Sequence, residues 1–294
     1  MEKYIDIIKN AYSGYWNYLK HELISINHWD NYFYGLIGIS LLVWLLEILF
    51  PWRKNQSIFR KDFWLDTFYM FFNFFLLNLI ILIALSNTAA ELFNDVLGIV
   101  GLSLSDLQLF SVDNMPKVLG ILIFFIIADF VQWNTHILLH RVPFLWNFHK
   151  VHHSVKEMGF AAHLRYHWME PVVYKSLLYL PIAIIGGFNA QDVAIVHFFN
   201  ITIGHLNHAN LGWNYGPLKY IFNNPKMHIW HHAKQLPKHL KYGMNFGITL
   251  SIWDYIFKTN YIPHSGRDIE LGFDGDERFP KDFISQEIYP LNKK

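Results

Sequence analysis

Long apolar stretches alternate with polar ones along this chain, and their spacing predicts helices. Gly35 to Phe50 is the first, bracketed by Tyr32, Phe33 and Tyr34 on one side and Trp52 on the other, as an aromatic belt would be. With its flanks it reaches about 20 residues, enough for roughly 30 Å of hydrocarbon. Phe63 to Leu85 forms a second span, and Val118 to about His136 a third. Further on, Val172–Gly186 and Val193–His208 flank Gly187-Phe188-Asn189-Ala190-Gln191. A turn signal between two apolar runs predicts a helical hairpin that dips into the membrane and returns, with re-entrant arms or full crossings both open. Ahead of all of them, Met1–Asp30 carries apolar residues at Ile5, Ile8, Tyr12 and Trp16. That spacing predicts an amphipathic helix at a membrane interface. The stretch lacks the continuous apolar run and cleavage site of a signal peptide, so it is expected to be retained.

Charge orients these spans. Arg53, Lys54, Arg60 and Lys61 lie between the first two, whereas Ser86–Pro116 has no Lys or Arg and carries Glu91, Asp95, Asp106 and Asp113. The excess of positive charge on the cytosolic side of membranes puts the first loop inside and the second outside. The third span then returns to the cytosol, and its last turns carry Asp129, Gln132 and Asn134, expected to face the protein interior. Apolar residues make up 53% of the chain and aromatics 18%. The mean hydropathy of +0.18 is too low for spans alone, so a polar part must accompany them. A net charge of +1 without basic runs argues against nucleic acid as a partner. The absence of cysteine excludes disulfides, Cys-ligated iron–sulfur clusters and thiolate haem within this polypeptide.

Histidines change the picture most. His136 and His140 are spaced i, i+4; His149, His152 and His153 are spaced i, i+3, i+4; and His228, His231 and His232 repeat that HxxHH pattern. Residues so spaced are neighbours on a helix, and neutral imidazole suits Zn, Cu, Fe and Ni. A lone HxxxH is weak evidence, but two HxxHH copies beside it would crowd eight imidazoles together without purpose unless they bind metal. His205 and His208 add an i, i+3 pair, read as further ligands, while His197 reads as a core residue and His239 as surface. A zinc hydrolase would more typically show HExxH, which is absent, and a mononuclear 2-His-1-carboxylate iron site uses far fewer ligands.

HxxxH, HxxHH and a second HxxHH, followed by Asn245-Phe246-Gly247 and Trp253-Asp254, resemble the fatty acid hydroxylase and sterol desaturase superfamily of integral-membrane di-iron oxygenases. The similarity covers about Asp129 to Thr259. It implies two iron ions held by His136, His140, His149, His152, His153, His205, His208, His228, His231 and His232. It further implies O2 as co-substrate, hydroxylation or desaturation of a lipid carbon, and electrons from a separate ferredoxin or cytochrome b5-like donor with its reductase. Arg165, His167 and Glu170 match a family Arg-x-His-x-x-Glu element loosely, and His208-Ala209-Asn210 resembles its His-x-Asn element. Phe257-Lys258-Thr259 departs from the family's Phe-Gly-Thr. Glu170, Asn245 and Asp254 are expected to hydrogen-bond ligating imidazoles, because metal-bound histidines give their other N–H to a carboxylate or carbonyl. Trp133, Phe144, Trp146, Phe160 and Trp168 are candidates to line a lipid pocket, although packing alone would also explain them.

The expected architecture is all-α: four or five apolar helices including the hairpin, with a cytosolic helical cap holding two metals. Residues 1–116 hold the interfacial helix and two spans, 117–261 the histidine-bearing catalytic part, and 262–294 a cytosolic tail. A fatty acyl, sphingoid or ether-lipid hydroxylase is the first functional reading. A sterol or carotenoid oxidase of the same superfamily is the second, and a non-catalytic membrane metal protein the third. Transport would demand ionisable groups spread along several spans, whereas these histidines cluster.

Overall fold

The protein, seen here as a computed structural model, is described over residues 2–25 and 28–291. Positions 1, 26 and 27 of the N-terminal stretch and 292–294 of the tail lie outside the described residues. The chain is mostly helical: α1 Glu2–Ile24, α2 Tyr32–Leu49, α3 Phe63–Phe71, α4 Ile83–Ile99, α5 Lys117–Arg141 and α6 Pro143–His153, then α7 Met169–Ile184, α8 Ala190–His208, α9 Pro225–His231, α10 Ile252–Ile256 and α11 Phe283–Ile288. Two π-helical segments, Phe72–Leu76 and Asn78–Leu82, join α3 to α4 without a break.

Among the described residues three helical stretches are long and apolar enough to cross a membrane: Tyr32–Leu49, Phe63–Ile99 and Lys117–Arg141. The second corrects the sequence reading. Helix continues for 37 residues, well past the expected end at Leu85, because no Gly or Pro interrupts it before Gly98. The expected outer loop therefore begins as helix. The N-terminal stretch is a helix, as expected, and it also has a partner within the protein. α1 runs antiparallel to α4, with Lys3 on Glu91 at 2.5 Å and on Asp95 at 2.6 Å, and with the Tyr12 hydroxyl donating to the Ile80 carbonyl at 2.7 Å. Its apolar positions Ile5, Ile8, Tyr12 and Trp16 remain exposed.

The hairpin arms α7 and α8 pack along α5. Their connection holds a two-residue strand, β2 Ile185–Gly186, parallel to β1 Phe110–Ser111 in the segment leading into α5. Leu109 N–H donates to the Ile184 carbonyl at 2.9 Å, and Lys117 at the start of α5 pairs with Asp192 at the start of α8. The hairpin tip thus reaches the level where α5 begins.

At the other end, Pro143 sets the corner that builds the site. The residue before a proline is pushed out of the helical region, and Val142 sits at φ −92, ψ 113. Proline is favoured in a first helical turn, so α6 starts at once, folded back against α5. Asn224 caps α9 by accepting from Met227 N–H at 3.0 Å, with Pro225 following it. The tail docks on this end: Phe283 packs on Phe68, Tyr69 and Phe72, and Tyr69 OH donates to Gln286 Oε1 at 2.9 Å.

Candidate metal centre

Nine histidines converge in two adjacent groups. His136, His140, His149, His153 and His231 form one, and His152, His208, His228 and His232 the other; within each, one nitrogen per residue lies within 4.8 Å of all the others. Each HxxHH segment serves both groups. Successive helical residues turn about 100°. The i, i+4 pair therefore points one way and the i+3 residue another. His149 and His153 enter the first group while His152 enters the second; His228 and His232 enter the second while His231 enters the first. The groups meet where the His153 and His232 rings stack at 4.5 Å.

Hydrogen bonds fix how four of these rings present themselves. Nδ1–H of His136 donates to the Phe246 carbonyl at 2.7 Å, that of His152 to Arg165 at 3.0 Å, that of His208 to Gly204 at 2.8 Å and that of His231 to Met244 at 2.8 Å. A carbonyl cannot donate, so the proton sits on Nδ1 and Nε2 is a bare lone pair. These bare nitrogens turn toward one another. His208 Nε2 lies 3.3 Å from His152 Nε2, and the buried His231 Nε2 has no partner. In the first group His136 Nε2 is 3.1 Å from His149 Nε2, and His140 Nε2 is 3.1 Å from His153 Nε2. Where both nitrogens are bare, as in His208 and His152, facing lone pairs repel, and an orphaned buried acceptor costs about 1–3 kcal/mol. A cation reconciles both: two nitrogens each about 2.1 Å from one ion stand roughly 3.0–3.4 Å apart. Burial holds His153, His228, His231 and His232 well below the usual histidine range and His152 at about 4, so they are neutral and able to ligate. The donor set fits two metal ions, five imidazoles for one and four for the other.

Glu170 places a carboxyl oxygen 2.8 Å from His149 Nδ1. Asp254 and Asn245 touch no imidazole. Asp254 accepts from Trp133 at 3.1 Å, Phe246 N–H at 2.9 Å, Gly247 N–H at 2.8 Å and Thr259 Oγ1 at 2.6 Å, so it holds the backbone whose carbonyl orients His136. Asn245 pins that segment through Met227 and Tyr261, and its φ of 55 is left-handed. His205 stands outside both groups, its nitrogens 3.1 Å from Ser40 Oγ and 3.0 Å from His163 Nδ1. His163, which the spacing did not single out, also packs its ring on His208. His197 is exposed against Phe74 and Tyr32 rather than in the core.

The buried Arg165 bonds Asp66 at 2.9 Å and so anchors to α3 the backbone that receives His152. Asp129 accepts from Trp253 at 2.8 Å, tying α5 to α10. Trp146 and Phe246 wall the first group, with Trp146 5.0 Å from His140 and Phe246 5.2 Å from it. Trp133 stacks on Phe257, Phe160 packs on His205 and Trp168 on His167, so these three belong to packing around the groups, while Phe144 is exposed.

Fold and site together define a helical protein with stretches long enough to cross a membrane and two histidine groups able to hold metal. Residues 121–259 match the fatty acid hydroxylase family model. Relatives include the ornithine lipid hydroxylase OlsE of Rhizobium tropici, 30% identical over 62% of this chain and 53% of that protein. Human alkylglycerol monooxygenase is 32% identical over 46% of this chain and 29% of its own length, and that of Xenopus tropicalis 31% identical over 47% and 30%. The chain thus spans about half the length of the first of these relatives and less of the others. No solved structure matches it.

Proposed function

We propose that this protein is a membrane-bound lipid hydroxylase with two irons, which uses O2 and electrons from a separate protein to oxidise a C–H bond of an acyl or alkyl lipid chain. The observation that carries the reading is the pair of converging imidazole groups, five and four strong. His136, His140, His149, His153 and His231 would hold one iron, and His152, His208, His228 and His232 the other. Bound iron would supply the redox cycling and O2 chemistry that zinc lacks. Insertion of one oxygen atom into C–H sends the other to water and consumes two electrons and two protons from outside. The chain's own residues orient and shield. Backbone carbonyls of Phe246, Arg165, Gly204 and Met244 fix four rings, Glu170 faces a fifth, and Trp146 and Phe246 keep water from the first group. The names of the relatives favour a lipid with an ornithine or glycerol head and an aliphatic chain. Orientation follows the charge of the loops, with the histidine groups at the cytosolic end beside Arg53, Lys54, Arg60 and Lys61.

Lipid extracts of cells with and without the gene, compared by mass, test this reading. A lipid gaining one oxygen atom only when the gene is present supports it. A wild-type protein that yields no such product with any reductant, while keeping its metal, would favour a metal-binding role without turnover.

A further inference from the structure

On the same end of the molecule as the histidine groups lies a recess of about 550 Å³ lined by Arg141, Lys238, Lys241, Tyr242, Gly243 and Thr259 among others. Several lysines of the chain are matched by acids, Lys156 by Asp276, Lys234 by Glu270, Asp276 and Glu277, and Lys117 by Asp192. Among the described residues no carboxylate lies within ion-pair reach of Arg141, Lys238 or Lys241, and all three are exposed. Tyr242, 47% exposed, adds a flat ring with Lys241 poised over it at 4.7 Å.

Behind the floor stands a candidate ligand. Gly243 has φ +113, and a Cβ placed on it would lie 3.0 Å from His140 Nδ1 and 3.2 Å from the Phe246 ring. The backbone of Tyr242 also lies against the His140 imidazole. A Cβ on Gly243 would be in tighter than ordinary contact with both rings, so the floor lies directly against the His140 ring. An electron needs no opening, and here the path from surface to imidazole is a single layer of backbone.

Resting on the hydroxylase reading above, we propose that this recess is the docking site of the electron donor, a one-electron carrier with an acidic face. Arg141, Lys238 and Lys241 surround the contact as unpaired cations that attract and align such a face, and Tyr242 is the apolar centre. Hydroxylation consumes two electrons per O2. The donor therefore docks twice per turnover, each time leaving oxidised by one electron. A lipid phosphate offers the same negative charge, but it carries no electron to the His140 ring behind the floor.

The test uses the full-length protein in discs of zwitterionic phosphatidylcholine, with an acidic [2Fe–2S] ferredoxin as probe and binding measured by surface plasmon resonance at low and high salt. The proposal expects binding that weakens with salt, a Kd raised about tenfold in the Lys238→Glu/Lys241→Glu double variant, and no change in Lys281→Glu, a surface lysine elsewhere. Equal binding by wild type and double variant, or no binding by either, overturns it. So does a double variant that binds ferredoxin normally but loses attachment to vesicles containing phosphatidylglycerol, which would make the recess a headgroup site. Turnover driven by dithionite keeps the two readings apart. Its absence in wild type counts against the hydroxylase while the binding result stands on its own, and its persistence in the double variant shows that the metal site is intact.

Discussion

Replacing Glu170 should loosen one metal and spare the other. Its carboxyl oxygen lies 2.8 Å from Nδ1 of His149, which is only 3% exposed, so no water is at hand to replace it. Glu170→Ala leaves a buried ring nitrogen without a partner, at a cost of about 1–3 kcal/mol. Groups that orient a metal ligand typically contribute 10–100-fold to affinity, or about 1.4–2.8 kcal/mol, so two independent routes arrive at the same range. Glu170→Gln keeps an oxygen that can accept from Nδ1–H, and its loss should stay below about tenfold. His152, His208, His228 and His232 make no contact with Glu170, so the second group should hold its metal unchanged. Chelator competition against purified protein, read as metal retained per chain, should resolve two release steps, with only one displaced in Glu170→Ala and a smaller displacement in Glu170→Gln. A release curve for Glu170→Ala that overlays wild type would refute the reasoning. So would equal displacement of both steps, which would mean that Glu170 supports the fold rather than His149.

Other expectations follow from the same geometry. Asp254→Asn aims an amide N–H at donors that now converge on a carboxylate, and it should destabilise the protein by about 2–3 kcal/mol with weaker metal retention in the first group, read by thermal unfolding and elemental analysis. Burial alone would raise the Asp276 carboxyl, but Lys156, the Phe273 N–H and Lys234 outweigh it and hold it below its usual range. Its contribution to stability is therefore complete above the unfolded value, about 3.9, and is lost as pH falls through the lower folded value; Asp276→Asn should remove that part of the acid dependence, seen in melting curves below about pH 4. With no native cysteine, single cysteines at Lys54 and Ser105 report orientation: an impermeant thiol reagent applied to intact cells should label Ser105→Cys and leave Lys54→Cys unlabelled, and the reverse pattern would invert the assignment of the cytosolic face.

Legibility of the sequence followed the range over which its signals act. Local spacing announced the histidine groups, because a helix turns i, i+3 and i+4 into neighbours whatever the rest of the chain does. It did not tell that each HxxHH splits between two groups, since that depends on where α5, α8 and the partner segment stand. His205 satisfied the same spacing as His208, yet α8 turns it toward Ser40 and His163. The carbonyls of Phe246, Arg165, Gly204 and Met244 carry no side-chain signature, so what fixes the ligands was invisible, except at Glu170. Asp254 was visible but misassigned by one step: it grips the backbone of Phe246 and Gly247, not an imidazole. Apolar runs located the spans correctly at their starts. The end of the second was missed because Glu91 and Asp95, read as loop charges, are instead the partners of Lys3 on α1. That pairing spans most of a hundred positions, beyond the reach of periodicity.

The central claim is that nine imidazoles hold two metals, and metal stoichiometry tests it most directly. Protein purified from iron-supplemented cells should carry two irons per chain by elemental analysis. His152→Ala, which removes a ligand of the second group alone, should lose about half of that iron and all product formation. His264→Ala, with an exposed ring outside both groups and the recess, should keep both. Fully active wild-type protein holding one metal or none, or a His152→Ala variant equal to wild type in metal and turnover, would contradict the account.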